Sequence, residues 1–120
     1  MKKIFLIVAL LFTTPIIHAE SLLETYTARL GTDDHYNSKG KRLRSVAAII
    51  RQDRANFHKF GIRDFEDQGD RFFASKGKRA RLESMLNRGS MSRETRNAIV
   101  NGTPLITVNI YTDYIEVYLQ

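Results

Sequence analysis

The sequence predicts a single small α+β domain, and three observations predict it. A helical apolar stripe runs from Leu43 to Phe60, the pattern changes to strict alternation near the C-terminus, and the chain contains no cysteine. The missing cysteine matters because small exported domains commonly depend on disulfides, so this one has to hold together by packing alone. The expected architecture is a C-terminal antiparallel hairpin, to which an N-terminal strand can add, packed on one long and two short helices.

Residues 1–19, MKKIFLIVALLFTTPIIHA, carry the parts of a secretory signal peptide in order. Lys2 and Lys3 form the charged start, Ile4 to Phe12 the apolar run, and Pro15 breaks the helix before the Ile17-His18-Ala19 cleavage site. Cleavage leaves residues 20–120 as the mature domain, beginning at Glu20. A retained membrane anchor fits poorly, because Thr13, Thr14, Pro15 and His18 cut the run short of the roughly 20 residues a span needs. Nothing after Ala19 approaches that length, so no transmembrane span is expected after cleavage. The expected location is the bacterial periplasm, and full secretion fits the same signal.

Losing Lys2 and Lys3 lowers the net charge from +6 to +4. That excess suits an anionic polymer, yet it is also ordinary for a soluble protein, so nucleic acid is not the favoured partner. The absence of cysteine excludes thiol catalysis and zinc-thiolate sites.

In chain order, Tyr26, Ala28 and Leu30 alternate and are expected to form a strand. The Gly31 to Lys41 stretch is a polar loop in which Asn37-Ser38-Lys39-Gly40 is a good turn sequence. The Leu43 to Phe60 helix places Leu43, Val46, Ile50, Phe57 and Phe60 on one stripe, widened by Ala47 and Ile49. A second polar loop spans Gly61 to Ala74. A second helix is expected from Ser75 or Lys76 to Arg88, burying Ala80, Leu82, Met85 and Leu86 and pairing Arg79 with Glu83, although Gly77 weakens its start. A third, Arg93 to Val100, is capped by Ser92, with Glu94 in its first turn. Gly61, Gly89 and Gly102 each follow a helix and are expected to close it in the left-handed conformation. The hairpin turns at Tyr111-Thr112-Asp113-Tyr114, with Ile110 facing Ile115, Val108 facing Val117 and Ile106 facing Leu119. Its opposite face carries Thr107, Asn109, Tyr111, Tyr114, Glu116 and Tyr118.

Four groups of residues bear on function. Tyr111, Tyr114 and Tyr118, joined by the basic Lys78, Arg81 and Arg88 of the second helix, form the leading binding candidate, since aromatic rings offer flat area and a hydroxyl. The competing reading is plain packing, with Tyr26 or a short helix covering that face. Asp53 sits on the apolar stripe, where a carboxylate needs partners. Backbone amides, His35, Asn37 or an arginine are the candidates, and Asp53 with His35, Asn37, Asp34, Asn56 and His58 makes an alternative polar site. The plainer account is a clamp tying the loop to the helix. Asp64 to Asp70 resembles the front of a calcium loop but has Ser75 where a bidentate glutamate is required, so no metal is expected. No cofactor motif and no nucleophile pattern is present.

The expected function is therefore a small exported binding module without catalytic activity, for an envelope protein or an anionic polymer. The alternative is a small secreted hydrolase, a metal-independent nuclease using His35 or His58 with a carboxylate and arginines.

Overall fold

The computed structural model describes residue 9 and residues 21–120; the expected signal peptide, Ala9 apart, and Glu20 lie outside the described residues. Three strands form one antiparallel sheet in the order β1 (Glu24–Arg29), β2 (Leu105–Ile110), β3 (Ile115–Leu119). The hairpin register is the one the alternation predicts, with Ile110 opposite Ile115, Val108 opposite Val117 and Ile106 opposite Leu119. Tyr111 N–H donates to the Tyr114 carbonyl at 2.9 Å, closing the turn without a glycine. β1 adds on the other side of β2, Tyr26 opposite Val108 and Ala28 opposite Ile106. The expected third strand is thus present.

Period-two alternation buries one face of this sheet and leaves the other to solvent. Tyr26, Ala28, Ile106, Val108, Ile110, Ile115 and Val117 are all buried. They join one core with Val46, Ile49 and Ile50 of helix α1 (Val46–Ala55), Leu82, Met85 and Leu86 of α3 (Leu82–Arg88) and Ile99 of α4 (Arg93–Asn101). A single turn, α2 (Lys76–Arg79), precedes α3. Ser45 caps α1 and Ser92 caps α4, each accepting a backbone N–H three residues on.

Three expectations about the helices are corrected. The long helix begins at Val46 rather than Leu43, because Ser45 is extended and caps it, and it ends in a π turn over Asn56–Phe60. A π turn takes more residues per revolution than an α turn, so Phe60 rotates off the stripe and stands 49 % exposed. The second helix breaks at Ala80-Arg81, where Arg81 N–H bonds three residues back, to Lys78. The break shifts the phase: Ala80 is exposed and Arg79 is buried instead, donating to the carbonyls of Phe73 and Ala74 rather than pairing with Glu83. Finally, Gly61 is left-handed at φ 67°, but Gly89 and Gly102 are extended, with φ of −94° and −142°.

Both edges of the sheet are covered, which suppresses strand addition there. On β1, Gln68 exchanges bonds with Thr27, its N–H to the Thr27 carbonyl at 2.8 Å and its Oε1 accepting from Thr27 N–H at 2.9 Å. The carboxylate of Asp67 accepts from Arg29 N–H, and that of Glu24 accepts from Arg71 and Phe72 N–H. The acidic stretch read as half a calcium loop is thus a strap along β1. On β3, Val117 N–H donates to the Ser90 carbonyl at 3.1 Å, just after α3 ends.

Candidate functional site

On the outer face of the sheet, Tyr111 and Tyr114 stack with ring centroids 4.4 Å apart and planes 11° from parallel. Tyr118 is 45 % exposed and donates to Glu116 at 2.9 Å, a bond that holds its phenol above the usual tyrosine range. Tyr111 and Tyr114 are half-buried, and Tyr26 points the other way, fully into the core. Of the basic residues, Arg81 reaches the hairpin turn, with Nη2 3.3 Å from the Thr112 carbonyl and 3.6 Å from Asp113. Lys78 stands 4.5 Å over the Phe72 ring, which Arg81 also overlooks. Arg88 ends α3, the helix that Arg81 begins as its N-cap residue.

Of the alternative polar residues, Asp34 and Asn56 bond one another, while Asn37, His35 and His58 have other partners. Asn37 serves its own loop: its Oδ1 accepts from Lys39 and Lys41 N–H, both at 2.9 Å. Both ring nitrogens of buried His35 face backbone carbonyls, Nδ1 that of Gly31 at 2.7 Å and Nε2 that of Ile99 at 2.8 Å. His35 is therefore not the one of Asp53's candidate partners that the fold brings to it. The loop is clamped to the helix through Asp34, which accepts from Asn56 Nδ2 at 2.9 Å and from Gly31 N–H at 3.0 Å.

Asp53 is buried as the stripe predicts, and its partner is an arginine, the adjacent Arg54, at 2.8 Å. Burial pushes the Asp53 carboxyl well above the usual range, against the pull of that guanidinium. Arg54 also donates to Asp70 at 2.9 Å and to the Gln68 carbonyl at 3.0 Å, and lies over the Tyr26 ring at 4.0 Å. Asp70 in turn contacts His58 Nε2 at 2.8 Å and accepts from Phe73 N–H. This chain of groups knots the strap, α1 and β1 together. Sequence reasoning missed Arg54, although its position four residues after Ile50 and beside a buried acid was a usable signal.

Asp34 gives the fold a pH dependence. Burial raises its carboxyl from 3.8 to about 6, opposed by the bonds from Asn56 and Gly31. Because the folded-state value is the higher one, folding takes up a proton between these two values. The Asp34 contribution is full below about pH 4 and is lost as pH rises through about 6, on the order of 2 kcal/mol. Denaturation midpoints taken between pH 4 and 7 should show the wild type losing stability relative to Asp34→Asn across that window. A constant difference would refute the assignment.

A further concavity was not legible in the sequence. Where the loop at Tyr36 to Ser38 meets the π turn, a pocket of about 380 Å³ opens between Tyr36, Phe60 and Ile62, floored by Gln52 and Asn56. Among the described residues no group of three or more histidine, aspartate or glutamate side chains is placed to hold a metal, and no helix is long and apolar enough to cross a membrane. Comparison with known proteins returns no matching family model, curated protein or solved structure.

Proposed function

We propose that this chain is an exported binding module without catalytic activity, and that it engages a protein of the cell envelope through the outer face of its sheet. The observation that carries this reading is the stacked Tyr111–Tyr114 pair beside the exposed Tyr118. Pre-stacked aromatic rings supply large contact area at little entropic cost, which is why such residues dominate protein interfaces. A protein partner is favoured over an anionic polymer because the charges here are mixed. Arg81 lies against Asp113, and Glu116 sits between Tyr111 and Tyr118.

Support for binding over the hydrolase alternative comes chiefly from His35. His35 spends both ring nitrogens on backbone carbonyls, and neither His35 nor His58 lines the pocket at the π turn. A general base needs a free nitrogen facing substrate.

Two measurements test the proposal. Mass spectrometry of the protein from its native host should find Glu20 as the first residue; an intact Met1 on exported material would sink the cleavage reading, and a cytoplasmic location would sink the export reading. Tyr114→Ser with Tyr118→Ser should weaken capture of the envelope partner by about tenfold or more while the fold survives, since the buried aliphatic pairs are untouched. If capture instead falls steeply with salt and with Arg81→Glu, and ignores the tyrosines, the ligand is an anionic polymer.

A further inference from the structure

The pocket at the π turn combines features that point to a ligand of different chemistry. Tyr36, Phe60 and Ile62 are 40, 49 and 46 % exposed, so two aromatic rings and an aliphatic chain from separate segments stand in solvent around one concavity. Tyr36 is steadied from one side by the Arg42 guanidinium, 5.5 Å from its ring. Phe60 is there because the π turn swings it off the core.

The polar groups between these walls are pre-oriented. Asn37 Oδ1 is occupied by two backbone N–H groups, which leaves its amide N–H₂ as a donor. Gln52 Nε2 donates to Asn56 Oδ1 at 2.9 Å, which leaves Gln52 Oε1 as an acceptor. Asn56 Nδ2 is held in turn by the Asp33 carbonyl and Asp34. Among the described residues, nothing hydrogen-bonds the Asp33 carboxylate, which is the only charged side chain lining the pocket. A fixed donor, a fixed acceptor and a carboxylate between apolar walls form the pattern of a small-ligand site, and the volume lies at the lower end of such sites.

We infer that this pocket binds a neutral N-acetylated sugar segment of a glycan. Sugar rings present C–H faces to aromatic walls and hydroxyls to amides. The acetamido group adds one N–H for Asp33 or Gln52 Oε1, one carbonyl for Asn37 and a methyl for Ile62. The lone acidic charge disfavours anionic ligands. An extended peptide is disfavoured because it recruits backbone pairing, and Tyr36 is already bridged to Arg42. This site goes beyond the outer-face reading and does not rest on it.

The test is an NMR titration of the ¹⁵N-labelled mature chain with chitotriose, the trimer of N-acetylglucosamine. Saturable shifts are expected for the side-chain amides of Asn37, Gln52 and Asn56. Phe60→Ala and Gln52→Ala should each weaken binding by about tenfold while keeping a folded spectrum, because both side chains lie at least partly in solvent. Cellotriose, which lacks the acetamido groups, should bind more weakly, and Tyr114→Ser with Tyr118→Ser should leave the titration unchanged. The inference is overturned if the pocket amides do not move up to about 10 mM trimer. It is equally overturned if Phe60→Ala binds like the wild type, or if N-acetyl-trialanine shifts the same amides at lower concentration.

Discussion

Replacing Arg54 with methionine is expected to destabilise the domain by about 3 to 5 kcal/mol, a third or more of the stability of an ordinary small domain. Methionine fills much of the same volume, so the loss is electrostatic rather than steric. Arg54 is wholly buried between two acids, Asp53 at 2.8 Å and Asp70 at 2.9 Å, and the bond to the Gln68 carbonyl would go with it. A buried ion pair is worth little against an apolar pair of the same shape, but stripping one partner strands the others in a medium that cannot solvate them. Burial works against the Arg54 charge, yet Tyr26, Asp53 and Asp70 together hold its guanidinium above the usual arginine range. Asp53→Asn should cost far less, because the amide oxygen still accepts the Arg54 Nε–H. Urea midpoints decide the matter: an Arg54→Met variant within about 0.5 kcal/mol of the wild type would show that the network holds nothing.

The sheet was legible in the sequence because its information is local. Period-two alternation on either side of Tyr111 and Tyr114 fixes which face is buried, and a slip of one residue would turn Ile106, Val108 and Ile110 outward. The caps at Ser92 and the burial of Asp53 follow from spacing in the same way. What spacing cannot carry is a change of helical pitch. Phe60 falls on the Leu43 to Phe57 stripe if the helix stays α, and the π turn that exposes it leaves no mark in the apolar pattern. The break at Ala80-Arg81 misled for the same reason, exchanging Ala80 for Arg79 in the interior.

The candidate sites divide along the same line. Tyr111, Tyr114 and Tyr118 were readable as one face because a hairpin determines faces, while whether that face is open depended on how the helices pack. Asp34, His35, Asp53 and His58 have the residue types of a catalytic cluster, but their partners are backbone carbonyls, an amide, a buried guanidinium and, for His58, the Asp70 carboxylate of the strap, and only the tertiary fold supplies those. The pocket joins Tyr36 to Phe60 across segments with no shared periodicity, so no sequence pattern could announce it.

Gly89→Ala is expected to be the most damaging small substitution, costing upward of about 3 kcal/mol. The backbone conformation is no obstacle, since φ is −94°. The obstacle is contact: a methyl at this position would sit 1.6 Å from the Ile115 carbonyl oxygen and 2.7 Å from its carbon, both backbone atoms. Relief requires the end of α3 to retreat from β3. Retreat breaks the Val117 N–H bond to Ser90, uncovers the edge of the sheet, and draws Leu82, Met85 and Leu86 away from Ile115 and Val117. Gly77→Ala is the matched control, for nothing lies within 4 Å of its added methyl and the residue is helical. There the substitution should stabilise by about 0.5 to 1 kcal/mol, because alanine gives up less backbone freedom on folding. Denaturation of the two variants side by side separates the causes. Equal midpoints would mean that α3 and β3 are not in contact through Gly89, whereas a wide gap with Gly77→Ala above the wild type follows directly from the close approach.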